Sequence, residues 1–350
     1  MEIMKKDIRA LTKDQLREFF VANGDKAFRG NQVYEWLWSK GAHSFDDMTN
    51  LGLATRQMLE ENFSINHIKV DSIQRSSDGT VKNAVRLHDG LVVESVLIPA
   101  KTRTTACVSS QVGCSLDCTF CATARLKRMR NLNPDEIYDQ VVAIDSESRI
   151  YHNRPLSNIV FMGMGEPLMN YNNVLKAITM ITSPEGLKMS PKRITLSTSG
   201  VPKMIKKLAD DEVKFKLAVS LHSAIDEIRS QIMPFSKNFP LADLREALEY
   251  WYRKTKSRVT YEYVVWKNIN DNKESIDALV KFCKYVPSKV NLIEYNAIEE
   301  GGFEQASEES INAYIRALEA NDIVVKVRRS RGKDIDAACG QLANKEAEAN

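Results

Sequence analysis

The chain has 350 residues, 43% of them hydrophobic and 27% charged, with a formal net charge of +3. That length fits one large α/β domain or a catalytic domain with smaller attachments, and no run of ~18 apolar residues marks a membrane span. A balance so near neutral cannot by itself argue for a nucleic-acid partner, so the placement of charge and of reactive side chains must decide.

The opening residues, Met1 to Asp7, lack a signal-peptide apolar stretch, and a cytoplasmic protein is expected. Residues 1–65 read as a helical module. Thr12-Lys13-Asp14-Gln15 has the form of a capping box opening Leu16 to Ala22, and Gly24 stops that helix. Asn31 to Lys40, closed by Gly41, and Leu53 to Asn62 predict two more. Such a module suits either docking of a partner or packing as a cap on the main domain. Over residues 66–100 the apolar period becomes two. His67 to Gln74, Val81 to Leu87 and Leu91 to Ile98 predict a small antiparallel β extension, with turns at Ser77-Asp78-Gly79 and Asp89-Gly90. Glu94 shares strand parity with Val92, Val96 and Ile98, so its carboxylate has a partner or a raised pKa.

Residues 101–344 alternate strand-like and helix-like stretches. The strands are Thr104 to Ser109, Asn158 to Met162, Arg193 to Ser197, Lys216 to Ser220, Val259 to Val265 and Val290 to Tyr295. Helices are predicted at Pro134 to Glu147, Asn172 to Ile181, Leu241 to Lys254, Lys273 to Cys283 and Glu308 to Ala320. Six βα units imply an α/β protein with a parallel sheet, a partial (β/α)6 barrel, whose site lies at the carboxyl ends of its strands. The polar tail, residues 345–350, is expected to fray.

Cys114, Cys118 and Cys121 follow the first of these strands with the spacing Cys-x3-Cys-x2-Cys. Six cysteines in an intracellular chain argue for metal or redox chemistry over disulfides. Three thiolates so close can hold three irons of one 4Fe–4S cluster and leave the fourth iron open. A zinc site would need a fourth ligand, and no Cys-x2-Cys or His-x3-His partner occurs. That alternative corresponds to a non-catalytic binding protein with a structural metal. Gly163-Met164-Gly165-Glu166-Pro167 ends the second strand, where glycines let backbone approach a ligand. Ser197, Ser220-Leu221-His222 and Asn296 end later strands and ring the same face. Cys339 sits among small residues before Gly340, downstream of the basic run Lys326 to Lys333. Cys107 precedes the cysteine run by seven residues, and Cys283 reads as an inert buried thiol. Basic clusters also occur at Lys101-Thr102-Arg103, Arg125 to Arg130 and Lys192-Arg193. Two of the four flank the proposed chemistry and suggest a phosphate-rich substrate.

Taken together, these motifs resemble the radical S-adenosylmethionine (SAM) methyltransferases that modify adenosine carbon 2, the bacterial dual-specificity enzymes of 23S rRNA and tRNA. The resemblance runs through Cys107-Val108-Ser109-Ser110-Gln111, Cys114 to Cys121, Gly163 to Leu168, the Ser197 strand, Ser220-Leu221-His222 and Asp334 to Leu342. Phe28 to Tyr34 is similar to the family's amino-terminal RNA-docking module. Glu294 departs from it, standing where the family has proline. The resemblance implies a radical SAM barrel, one 4Fe–4S cluster on Cys114, Cys118 and Cys121, and two SAM molecules per turnover. It implies SAM binding by Gly165, Glu166, Ser197, Ser220, Leu221, His222 and Asn296. Cys339 would carry the methyl group, Glu94 would accept a proton and Cys107 would resolve the enzyme–RNA adduct. The targets would be adenosines in the peptidyl transferase centre and 3′ of the tRNA anticodon, with a flavodoxin-type or other low-potential electron donor and a monomeric enzyme. The alternative within the resemblance is the carbon-8 branch that confers antibiotic resistance. Pro167 and Ser199-Gly200 are more similar to the carbon-2 branch.

Overall fold

In a computed structural model describing residues 5–298 and 302–344, ten strands form one sheet whose spatial order follows the chain throughout. The predicted frayed tail lies outside the described residues. Strands β1 (Lys69–Arg75), β2 (Val81–Arg86), β3 (Val92–Pro99) and β4 (Thr104–Cys107) pair antiparallel. From β4 onward every pairing is parallel: β5 (Asn158–Phe161), β6 (Ile194–Thr198), β7 (Lys216–Ser220), β8 (Val259–Val264), β9 (Ser288–Ile293) and β10 (Val324–Arg328). The fold is mixed α/β with a parallel-rich central sheet, consistent with the expected partial barrel.

Parallel strands need crossover helices, and helices on the faces demand apolar strands. All six residues of β8 are accordingly buried. The crossovers are α4 (Pro134–His152), α5 (Tyr171–Thr182), α6 (Pro202–Asp210), α7 (Asp226–Ile232) with α8 (Leu241–Thr255), α9 (Lys273–Cys283) and α10 (Glu308–Glu319). Three elements were not anticipated. The basic run expected after the last strand begins as β10, a seventh parallel strand paired along β9. Its Val324 and Val327 are 45% and 46% exposed, so it has no buried apolar face to betray it. Helices α6 and α7 have only nine and seven residues, too short for a clear period.

The helices α1 (Lys13–Ala22), α2 (Phe28–Glu35) and α3 (Leu53–Asn62) precede the sheet. The Thr12–Gln15 capping box forms as expected. The second helix starts at Phe28, earlier than the predicted Asn31, and ends in a π turn, Trp36–Lys40, closed by Gly41 at φ 67°. These helices pack on α4. Arg9 forks onto the Asp139 carboxylate at 2.7 and 2.6 Å, and the Tyr138 hydroxyl donates to the Trp38 carbonyl. Leu16, Phe20 and Leu37 share one apolar core with Ile137 and Val141. Among the described residues no helix is long and apolar enough to cross a membrane.

After β10 the chain turns back across the antiparallel strands. Asp334 accepts from the Ser76 hydroxyl at 2.6 Å and the Ser77 N–H at 3.1 Å, and the Gly332 N–H donates to Asp78 at 3.0 Å. This return brings Cys339 to the barrel.

Candidate active site

The cysteine loop leaves β4 at its carboxyl end and is framed by a short antiparallel pair, Gln111–Val112 with Arg130–Asn131. Cys114, Cys118 and Cys121 line one cleft of about 1090 Å³, its open mouth included. Burial pushes all three thiols up, Cys114 to about 11, and negative charge on any one raises its neighbours further. Three thiolates facing one another out of water need a cation. Among the described residues, none of the His, Cys, Asp or Glu side chains converge as a single metal ion requires. A lone ion draws thiolates to ~2.3 Å; a cluster takes each thiolate on a different iron and so spreads them. Three thiol donors on one cleft fit the expected cluster, one to each of three irons. Phe120 lies against His222 and Trp266, at ring-centroid distances of 4.9 and 5.1 Å, which fixes the loop from below.

Gly163 and Gly165 bring the next loop against the strand end. A Cβ at Gly163 would fall 2.7 Å from Ser109 Oγ, and one at Gly165, where φ is +92°, would fall 2.5 Å from Gln111 Cβ. Gln111 accepts the Glu166 N–H at 2.9 Å. The Glu166 carboxylate, 2% exposed, accepts from the N–H groups of Leu168 at 3.0 Å and Ser199 at 2.7 Å. Burial raises its pKa although these donors pull the other way. A bound ammonium would add to that downward pull.

Gly165, Glu166, Ser197, Ser220, His222 and Asn296 all line the cleft. His222 has a left-handed backbone, φ 55°, and burial drives its pKa down to about 3, so the ring is neutral. Its Nδ1 accepts the Val264 N–H at 3.2 Å, which leaves the proton on Nε2. Asn296 donates to the Cys339 carbonyl at 3.2 Å, while its buried Oδ1 has no partner among the described residues. That orphaned acceptor suits a polar ligand. Leu221 does not line the cleft; it is fully buried, and its N–H donates to the Glu262 carbonyl at 3.0 Å.

Cys339 lines the same cleft as the three loop cysteines, and its exposed surface opens onto it. Close packing raises the thiol's pKa, and Arg328 opposes that rise. Cys107 shares a second cavity with Cys339; burial pushes it to about 12, with the Cys339 charge adding to the rise. Glu94, 2% exposed, lines neither cavity. Its carboxylate lies 3.3 Å from Lys82 and accepts the N–H groups of Ala343 at 2.8 Å and Asn344 at 3.2 Å, just past Cys339. The partner that strand parity demanded is therefore Lys82.

Sequence reasoning missed Ser199, Glu262 and Arg229. Ser199 gives Glu166 its shortest hydrogen bond, 2.7 Å. Glu262 lines both cavities, bound to Asn291 at 2.8 Å and Arg328 at 3.2 Å. Arg229 is fully buried and donates to the carbonyls of Ser199 at 2.6 Å and Leu221 at 3.2 Å. Buried charge at strand ends was the available signal, in Glu262 within an otherwise apolar strand. Glu294, the departure noted in the sequence, binds Lys333 at 2.6 Å and the Ser330 N–H at 3.0 Å, tying β9 to the Cys339 segment.

Comparison with known proteins follows the same outline. Residues 6–65 match the family model for a ribosomal RNA large subunit methyltransferase N-terminal domain, and residues 108–283 match the radical SAM superfamily. The chain is 84% identical over 348 residues to a probable dual-specificity RNA methyltransferase RlmN of Flavobacterium johnsoniae, covering 99% of this chain and 100% of that one. It is 41% identical over 339 residues to the dual-specificity RNA methyltransferase RlmN of Geotalea uraniireducens, covering 97% and 96%. The crystal structure of a radical SAM methyltransferase from Sphaerobacter thermophilus superposes with a TM-score of 0.90 at 37% identity, covering 96% of this chain and 99% of that one.

Proposed function

We infer the reaction from one premise: this chain belongs to the RlmN family of dual-specificity RNA methyltransferases, a radical SAM family. It is a radical SAM RNA methyltransferase. We propose carbon 2 of adenosine as its target, in the peptidyl transferase centre of 23S rRNA and 3′ of the anticodon in tRNA. The observation that carries this reading is the convergence of Cys339 with Cys114, Cys118 and Cys121 on one cleft.

Adenine carbon 2 lies between two ring nitrogens and is electron-poor, so it cannot attack a sulfonium methyl as an amine does. One 4Fe–4S cluster on Cys114, Cys118 and Cys121 supplies, when bound, the electron that splits SAM into methionine and a deoxyadenosyl radical. Glu166 accepts the SAM ammonium, and Asn296, Ser197, Ser220, His222 and Gly165 complete the SAM site, with Leu221 packed behind it. The Cys339 thiolate first takes the methyl of one SAM, with S-adenosylhomocysteine as the leaving group, so two SAM are used per turnover. Cys339 then holds that methyl while it loses hydrogen to the radical and adds to carbon 2. Glu94 takes the carbon-2 proton, and the one electron released with it would return to the oxidised cluster, which leaves a thioether between Cys339 and the RNA. Cys107 attacks the Cys339 sulfur, which frees the RNA and closes a disulfide. A flavodoxin-type or similar low-potential donor, a monomeric enzyme and a cytoplasmic setting complete the proposal. Residues 1–65, 66–100 and 101–344 would act as docking module, β extension and catalytic barrel.

Anaerobic reconstitution with iron and sulfide, followed by reductant, SAM and RNA, tests the reading. Deoxyadenosine and 2-methyladenosine are expected by mass spectrometry. RNA methylated only at carbon 8, or not at all, overturns the carbon-2 assignment.

A further inference from the structure

Two cavities meet at Cys339. The upper cleft, at the carboxyl ends of the strands, holds the loop cysteines and Glu166, and among the described residues no lysine or arginine lines it. The lower chamber, about 1770 Å³ with its open mouth, runs through the barrel to the amino ends of the strands, where Asn158, Thr195, Lys216 and Lys289 line it. Met162, Glu262, Ile293, Cys339 and Leu342 line both and form the partition. The methyl carrier thus faces two compartments of opposite character.

The lower chamber is strongly basic. Seven cationic side chains line it against the single carboxylate of Glu262. Arg328 is paired with that carboxylate, and Arg331 approaches Asp78 at 4.0 Å. Arg103, Lys216, Lys289, Lys326 and Arg329 make no ion pair among the described residues. Burial lowers the pKa of Lys289, Glu262 opposes the drop, and the charges of Arg258, Lys216 and Lys326 add to it. Uncompensated like charges around a concavity cost folding stability unless an anion neutralises them. The cations are spread along the chamber and its open mouth rather than gathered at one point, so a polyanion that threads a residue inward fits better than a free phosphate. Two basic clusters distant in sequence, at residues 101–103 and 326–333, supply Arg103, Lys326, Arg328, Arg329 and Arg331 to this one mouth.

We propose that the target nucleotide of the substrate RNA reaches Cys339 through this lower chamber, its flanking phosphates held by Lys216, Lys289, Lys326 and Arg329, while SAM occupies the upper cleft. The inference rests on RNA being the substrate. It explains how one sulfur serves two reactants in turn: SAM approaches from the cluster side and the base from the opposite side, with no exchange of one for the other. Phosphate contacts position the strand without reading sequence, which suits an enzyme with two RNA targets.

The triple variant Lys216→Gln/Lys289→Gln/Lys326→Gln tests this beside Lys127→Gln/Arg128→Gln, which removes charge near the cysteine loop instead. RNA binding and methylation are measured across a salt series, and uptake of a methyl at Cys339, read by intact mass, reports that each variant folds and takes SAM. The triple variant is expected to bind RNA at least tenfold more weakly. Its plot of log affinity against log salt should be shallower by roughly two, since each phosphate neutralised contributes ~0.7–0.9. Unchanged RNA affinity and slope in the triple variant, or a loss confined to the Lys127/Arg128 pair, overturns the proposed route while leaving the methyltransferase reading intact. A wild-type enzyme that methylates Cys339 but no RNA overturns both.

Discussion

At the scale of single residues, the site holds several buried charges, each satisfied by specific partners. Glu94 and Lys82, 2% and 6% exposed, are such a pair. Removing one member of a buried pair strands the other, which costs roughly 3–5 kcal/mol. Lys82→Met is therefore expected to lower stability in urea by about that amount, and Glu94→Gln in the same chain to recover part of it; independent losses would show that the pair is not coupled. The adduct-resolving role proposed for Cys107 has a sharper signature. Cys107→Ala is expected to accumulate protein covalently bound to RNA, seen as a shifted band on a denaturing gel, with turnover reduced to less than one product per enzyme. The cysteines were legible because their spacing is local. Lys82 was not, because its partnership with Glu94 depends on the register of two antiparallel strands, Ala84 opposite Glu94, and on the lysine reaching along the strand.

At the scale of elements, the amino-terminal helices are joined to α4 through a buried cluster of acids around Arg9. Asp135 is 5% exposed there; burial raises its pKa to about 7, Arg9 opposes the rise, and Asp7, Asp139 and Glu136 add to it. Between the ordinary value of 3.8 and about 7 the folded chain holds a proton that the unfolded chain has released. Stability from this group is therefore fully present below pH ~4 and declines as pH rises to ~7, by up to roughly 4 kcal/mol. Asp135→Asn keeps the neutral form at every pH. Its stability relative to wild type, measured by urea unfolding, should rise between pH 5 and pH 8; parallel curves would remove Asp135 as the source. The helix itself was legible from its period, and so was the Leu53–Asn62 helix to the residue. The packing of the module on α4 was not, since a fork such as Arg9 to Asp139 joins residues 130 apart.

At the scale of the molecule, the β extension and the C-terminal segment are halves of one device. The sheet runs in chain order from β1 to β10, so its two edges hold opposite ends of the described chain. The return after β10 links them, through Asp334 to Ser76 and Ser77, Gly332 to Asp78, and Asn344 to the Val92 carbonyl at 2.7 Å. Cys339 hangs between these anchors. The sequence reading separated a hairpin from a cysteine loop some 250 residues later, because nothing local marks a contact across the whole chain. It located the reactive thiol but not what aims it. Each anchoring hydrogen bond contributes about 0.5–1.5 kcal/mol, more where a carboxylate accepts. Releasing both carboxylates, in Asp78→Ala/Asp334→Ala, should let the segment leave the partition between the cavities. SAM binding draws on the other side of the barrel and should persist. The expected result is continued formation of deoxyadenosine with at least tenfold less methylated RNA per deoxyadenosine formed, measured together by mass spectrometry. If that ratio stays at the wild-type value, the extension does not aim Cys339, and the anchors at Glu94 and Asn296 suffice to hold the thiol in place.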